Sequence, residues 1–287
     1  MKKNSVILFF THFIDDEIAV QYRNIENDCN RDFDIILLYD NTRNDFYPAA
    51  FSDRLRYFTF ALNDLREIGY SPKSRAIKTT IRSNIETPLL LFYLKNPNYC
   101  YYWVMEYDVR FTGSWNDFFS YFSKNDADLL GTTLFRYEAR SDWVHWRSLQ
   151  TPGIKLKKTN LIRGFFPIYR LSNQALEQLH NAYTNGWAGH FEVAIPTILK
   201  YCGLRIEDIG GEGEFTDEKN LNRFYRNTPK NKGLSPGTFI FRPVMPCPGD
   251  EKDKLWHPVK KPAGELMIKA PNNLWNQTKN FLKKILR

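Results

Sequence analysis

Between Tyr101 and Gly113 the chain reads YYWVMEYDVRFTG, an aromatic and β-branched run that delivers Glu106 and Asp108. Carboxylates at i and i+2 leave the same side of an extended chain. At the carboxyl end of a strand in an open parallel sheet, they face the crevice where ligands bind. Their oxygens are hard ligands for Mg²⁺ or Mn²⁺, ions commonly held by one or two carboxylates together with substrate phosphates. An ion gripped there would neutralise charge on a departing nucleotide diphosphate. The spacing alone leaves a second reading open, because an acidic pair after a strand is as often a solvated turn.

Such a pair needs a sheet to hold it, and the surrounding pattern supplies one. Ser5–Thr11 is a short apolar run followed by a helical pattern from Asp15 to Asn27. Phe33–Tyr39 (FDIILLY) is a second buried strand closed by an Asp40-Asn41 turn signal. Strand, helix and strand in close succession indicate a parallel βαβ unit. Residues 53–66 and 75–95 contain helix-compatible segments, and Tyr101–Val109 reads as a central strand. Trp115–Phe122 reads as a helix and Ala127–Thr132 as a strand. From Arg136 to Lys158 the pattern breaks into a Trp-, Arg- and Ser-rich stretch, as expected of a functional loop. Beyond it lie a strand over 164–170, a helix over 172–183 capped by Ser172, a helix from His190 to Tyr201, and a strand at Leu204–Ile209. Residues 210–237 are polar, Gly-rich and irregular.

A chain of 287 residues suits one α/β domain with insertions or two small ones. Aromatic residues reach 16%, with 22 Phe, 16 Tyr and 7 Trp. That excess fits a ligand with sugar or base rings, and equally an aromatic core. The net charge of +8 attracts phosphorylated molecules, anionic lipid or nucleic acid. Basic residues are spread along the chain rather than gathered in one block, which argues against a nucleic-acid binder. Cys29, Cys100, Cys202 and Cys247 form no CxxC pair, so neither a zinc site nor a disulfide framework is expected, and a cytoplasmic protein is the default. The N-terminal apolar run meets an acidic pair too soon for a signal peptide or membrane span. In NNLWNQTKNFLKKILR (272–287), Leu274, Trp275, Thr278, Phe281, Leu282 and Ile285 share one helical face, and Lys279, Lys283, Lys284 and Arg287 lie mostly on the other. A helix so patterned lies in a membrane interface or docks on the domain's own core.

The stretch around Glu106 also resembles the DXD-type motif of GT-A-fold glycosyltransferases, in the form W-V-x-E-x-D-V-R-x-T-G of a bacterial and fungal group. Arg170-Leu-Ser172, GWAGHFEVAIPTIL (186–199), DIGGEGEF (208–215) and LWHPVK (255–260) are similar to the same group, so the resemblance spans residues 5 to 260. It implies an α/β fold with a mixed, mainly parallel, Rossmann-like sheet flanked by helices. A single domain is expected over 1–265, with a nucleotide-sugar half over 1–135, an acceptor half over 136–265, and a basic amphipathic tail at 266–287. Position by position, the resemblance implies Asp108 as the main metal ligand, Glu106 supporting the ribose or metal shell, and His257 completing the site. A histidine there favours Mn²⁺ over Mg²⁺. Glu106 departs from the family's usual Asp, which leaves its share of the work open. Glu192, at a helix start, matches the general base of inverting members, where a helix N-terminus favours the ionised form. His190 is a second candidate for the base or for acceptor binding.

Donor contacts are expected from Phe10, Thr11 and His12 at the end of the first strand, and from Asp40 at the end of the second. Arg75 and Lys78 carry charge that suits a diphosphate. Trp143, His145, Trp146 and Arg147 form an acceptor platform or pack among themselves. The function expected is transfer of a sugar from a nucleotide-sugar, a UDP-sugar by preference, to a glycan or lipid-linked acceptor, with inversion. The setting is surface polysaccharide or lipooligosaccharide synthesis on the inner face of a membrane. Two other classes compete. A nucleotidyltransferase or phosphohydrolase would use the same carboxylates, but the glycine-free, acidic THFIDDE after the first strand is a poor phosphate loop. A non-catalytic carbohydrate-binding module would bind a sugar nucleotide without turning it over.

Overall fold

The computed structural model describes residues 4–29, 31–46, 55–73, 84–227 and 237–261. Its strands are β1 (Ser5–Thr11), β2 (Phe33–Asp40), β3 (Tyr57–Phe60), β4 (Tyr101–Glu106), β5 (Arg110–Phe111), β6 (Leu129–Gly131), β7 (Phe135–Arg136), β8 (Ile162–Arg163), β9 (Ile168–Ser172), β10 (Ile206–Asp208) and β11 (Leu255–Trp256). The α-helices among the described residues are α1 (Asp16–Cys29), α2 (Leu62–Glu67), α3 (Glu86–Lys95), α4 (Trp115–Tyr121), α5 (Asn173–Thr184) and α6 (Phe191–Tyr201).

Seven strands form one sheet in the order β10-β6-β9-β4-β1-β2-β3. Neighbours are parallel except where β9 runs antiparallel between β4 and β6. The result is a mixed, mainly parallel sheet with helices on both faces. Strands buried on both faces must be apolar at nearly every position, which is why SVILFF and FDIILLY read as continuous runs. Alternation then sorts the side chains. Val6, Leu8 and Phe10 of β1 and Tyr102 and Val104 of β4 join a core built with α2, α3, α5 and α6. Ile7, Phe9, Trp103 and Met105 join the core on the other face with α1 and α4.

The chain lays β2 and β3 to one side of β1, then returns to place β4 on the other. The carboxyl ends of β1 and β4 therefore flank the point where the winding reverses, the place where such sheets bind ligands. Phe10 pairs with Glu106 in register there. Because β9 is antiparallel, it enters from this same edge. Met105 pairs with Ile168, and Glu106 N donates to Pro167 O at 2.8 Å. Residues 163–167 thus lie beside Glu106.

Three elements differ from expectation. In the helix-compatible stretch 53–66, Tyr57–Phe60 is the edge strand beside β2, and the helix is confined to Leu62–Glu67. Four residues are too few for either hydrophobic period to register, and pairing with β2 decides the outcome. The strand expected over Tyr101–Val109 stops at Glu106, where Val109 N donates back to Glu106 O at 3.1 Å. Asp108 therefore leaves a turn rather than an extended chain. Of the strand expected over 164–170, only residues 168–170 are strand, as the start of β9; Gly164–Pro167 separates it from β8. The proposed tail helix, 272–287, lies outside the described residues.

Candidate active site

Glu106, Asp108 and His257 each offer a ligand atom, and these atoms lie within 4.8 Å of one another. The first two are delivered by the end of β4 and its turn. His257 arrives from far along the chain, carried by β11, whose Leu255 and Trp256 pair antiparallel with Phe111 and Arg110 of β5. Backbone bonds fix it further: His257 N donates to Thr238 O at 3.1 Å, and Val259 N donates to Asp108 O at 2.8 Å.

The imidazole's tautomer follows from its partner. Nδ1 of His257 is 2.8 Å from Ile240 O. A carbonyl only accepts, so Nδ1 carries the hydrogen, and Nε2 is the ring nitrogen turned toward the acids. Nε2 stands 3.4 Å from Asp108 Oδ1 and 3.9 Å from Glu106 Oε2. Oδ1 of Asp108 is buried and has no hydrogen-bond partner. Two carboxylates and an imidazole nitrogen facing one point need a proton or a cation between them. A metal-bound histidine ordinarily donates its other N–H to such a carbonyl. The residues present therefore fit a divalent ion, and two carboxylate oxygens with one imidazole nitrogen suit Mn²⁺ or Mg²⁺.

The electrostatics divide the two acids. Burial and the neighbouring Asp108 push Glu106 up to about 7. Burial would raise Asp108 as well, but the charges of His257 and Lys260 and the hydrogen bond from Lys260 outweigh it and hold Asp108 below the usual carboxylate range. Lys260 Nζ lies 2.6 Å from Asp108 Oδ2, which leaves Oδ1 as the open oxygen. Lys260 escapes a motif search because one lysine has no pattern, although it closes the LWHPVK run.

Glu192 approaches from the helical face of the sheet that Glu106 shares with Tyr102 and Val104 by alternation. It sits in the first turn of α6, which His190 caps: the Nδ1 of His190 accepts from Glu192 N at 3.4 Å. Pro196 inside α6 has no N–H to return to Glu192 O. That carbonyl accepts instead from Gly164 N at 2.8 Å, tying the loop before β9 to the helix. Gly189 makes the preceding turn possible: its φ is +146°, and a Cβ there would meet Leu149 Cα at 3.0 Å.

The expectation that the helix N-terminus would favour an ionised Glu192 is corrected. Burial outweighs the charge of Arg163 and the backbone hydrogen bond from Phe166, and pushes the carboxyl up to about 7. His190 goes the other way: burial, then His145, Lys73 and Arg163, lower it to about 3.

The remaining candidates divide. His12 lies within electrostatic reach of Asp40, Asp108 and Lys260. Its ring packs edge-on to Phe13 and Tyr107 at 5.1 and 5.5 Å, making an aromatic wall beside the acids. Thr11 is fully buried and its hydroxyl donates to Phe13 O at 2.8 Å. Asp40 closes its own turn through Thr42 N at 3.0 Å. Of the aromatic platform, Trp143 and His145 gather on His190, the two imidazoles stacking at 4.0 Å. Trp146 is buried and donates from Nε1 to Arg140 O at 2.7 Å, while Arg147 is exposed. Arg75 and Lys78 lie outside the described residues. DIGGEGEF serves the scaffold: Asp208 accepts from Gly210 N, Gly211 N, Leu134 N and Tyr225 OH.

Residues 22–128 match a family of proteins of unknown function, DUF3405. No curated protein matches the chain. Among solved structures, mouse xyloside xylosyltransferase 1 is similar at a TM-score of 0.36 and 9% identity, covering 72% of this chain and 85% of its own. The galactosyltransferase LgtC, in complex with donor and acceptor sugar analogues, is similar at 0.40 and 11%, covering 76% and 74%. 4-Diphosphocytidyl-2C-methyl-D-erythritol synthase from Anaerococcus prevotii is similar at 0.40 and 11%, covering 76% and 94%. These are likenesses of chain course only.

Proposed function

We propose that the chain is a metal-dependent, inverting glycosyltransferase that moves a sugar from a UDP-sugar to a glycan or lipid-linked acceptor in surface polysaccharide or lipooligosaccharide synthesis. The observation that carries this reading is the Glu106–Asp108–His257 cluster at the point where the sheet's winding reverses. Its donor set faces inward, and Asp108 Oδ1 is unpartnered. The resemblance of the motifs around it to GT-A enzymes supplies the reaction class.

Asp108, Glu106 and His257 would hold the ion, which when bound supplies charge neutralisation to a leaving diphosphate. Lys260 fixes the rotamer of Asp108 and adds a second positive charge on the diphosphate side. His12, Phe13 and Tyr107 offer ring faces to the base. Glu192 accepts the proton of the attacking hydroxyl, a task suited to a carboxyl titrating near neutrality. The low basicity of His190 makes it an orienting group that holds the helix cap and packs on His145.

Thermal-shift measurements with UDP and UDP-sugars, with Mn²⁺ or with chelator, test the reading. Stabilisation by UDP is expected only with the metal, and Asp108→Asn is expected to abolish it with turnover. Stabilisation of the variant equal to that of the wild type would remove the assigned centre. Release of pyrophosphate from UTP and a sugar 1-phosphate would instead establish a nucleotidyltransferase.

A further inference from the structure

We propose that Arg163 anchors a subsite for an oxyanion, a carboxylate or a phosphate, carried by the acceptor sugar; this rests on the glycosyltransferase reading above. The residue is held in place from both sides. Ile162 exchanges hydrogen bonds with Thr197 Oγ1, its N–H donating at 3.0 Å and its O accepting at 3.1 Å. Gly164 N donates to Glu192 O. Arg163, between them, is thereby fixed against the first two turns of α6. The residue is only 4% exposed.

So buried a guanidinium is ordinarily ion-paired or fully hydrogen-bonded, because its five donors are costly to leave empty. Arg170 of the same chain, whose Nε also lacks an acceptor, still donates from its terminal nitrogens to Phe122 O, Asn125 O and Ala127 O. Arg163 forms neither an ion pair nor a hydrogen bond with any described residue, and its buried Nε has no acceptor. Its one specific contact is the face of Trp143, 4.7 Å from the guanidinium carbon. A cation kept buried and oriented, with Glu192 and Asp142 acting on it only from beyond hydrogen-bond distance, is arranged for an anion that comes from outside.

The neighbourhood states which ligand that anion belongs to. Glu192 lies within electrostatic reach of both Glu106 and Arg163, so the candidate base is near the metal cluster and the guanidinium alike. The donor diphosphate is matched on the metal side by the ion and Lys260. On the Arg163 side the wall is Trp143, His145 and His190, flat rings of the kind that pack against a sugar. A sugar lying there with its hydroxyl toward Glu192 can place an acidic substituent in the guanidinium fork.

The test is titration of tryptophan fluorescence with methyl glucuronide, glucose 6-phosphate and neutral methyl glucoside, run alongside titration with Mn²⁺ and UDP. The wild type is expected to bind at least one acidic probe more tightly than the neutral one, and which it binds separates carboxylate from phosphate. Arg163→Gln should lose about tenfold or more in that affinity, the loss of a charge-assisted hydrogen bond, while binding Mn²⁺ and UDP as before. Because the charge removed is unmatched, Arg163→Met is expected to melt at or above the wild-type temperature. Equal binding of neutral and acidic sugars, no binding of either acid, or unchanged affinity in Arg163→Gln would overturn the subsite. So would a variant that loses UDP instead, or an Arg163→Met that melts well below wild type. Acid-sugar binding through Arg163 with no affinity for UDP and Mn²⁺ would retain the subsite and sink the donor reading.

Discussion

Glu192 has its carboxyl pushed from an ordinary 4.5 up to about 7, chiefly by burial. Two consequences follow with definite sign. As a base it must lose its proton, so turnover should rise with pH through about 7 and level off above. For stability, the folded chain holds this proton more tightly than the unfolded one. The wild type therefore loses stability as pH rises from about 4.5 to about 7, and the full penalty of up to about 3 kcal/mol remains above that window. Glu192→Gln should abolish turnover and retain UDP binding. It should also gain on the wild type in melting temperature at about pH 8 but not at about pH 4. The same difference at both pH values would show that the carboxyl is not strained by burial. Legibility at this scale was uneven for a physical reason. Glu106 and Asp108 announce themselves because two acids follow an apolar strand. His257 and Glu192 stand alone in their segments, and only motif resemblance singles them out. Arg163 and Lys260 were missed, because whether a lone cation is matched by an acid depends on the folded neighbours.

The elements that were legible are those whose burial repeats over several residues: β1, β2, α5 and α6 appear where their apolar periods place them. Those that were not are held by single long-range bonds. Lys73 is such a case, buried at the end of the short segment after α2. Its Nζ lies 2.6 Å from Glu86 Oε1, with side chains 1% and 0% exposed, and donates to Gly189 O at 3.0 Å. Tyr183 OH also donates to Glu86 Oε1 at 3.0 Å. One ammonium thus joins α3 to the turn that launches α6. Removing one member of a buried pair strands the other charge and costs about 3–5 kcal/mol. Lys73→Met should lower unfolding free energy by that amount in urea denaturation. Lys73→Met combined with Glu86→Leu should recover much of it, since apolar replacement of both partners leaves no stranded charge. A single variant as stable as the wild type would mean that water already compensates Glu86.

Strand order was beyond the sequence, because β4 could pair on either free edge of the first βαβ unit without altering any local pattern. Placing it against β1 rather than β3 creates the reversal point, and with it the crevice where the acids meet. The molecule as a whole carries a charge of +8, and part of that excess lies within 272–287, whose spacing predicts a polar helical face. Among the described residues no helix is long and apolar enough to cross a membrane. If the proposed lipid-linked acceptor is right, we infer that this segment holds the crevice near a bilayer. Lys279, Lys283, Lys284 and Arg287 should each contribute about 1 kcal/mol at an anionic surface, about 4 kcal/mol together and roughly a thousandfold in partitioning. In the helix expected from the sequence, Trp275, Phe281 and Leu282 would supply the apolar face. The protein is expected to sediment with phosphatidylserine vesicles at low salt and to be released as salt screens the surface. The chain ending at residue 271 should stay in the supernatant while keeping activity on a soluble acceptor. Sedimentation of both proteins would place the contact elsewhere. A shortened chain that precipitates without vesicles would show that the helix covers the domain's own apolar surface.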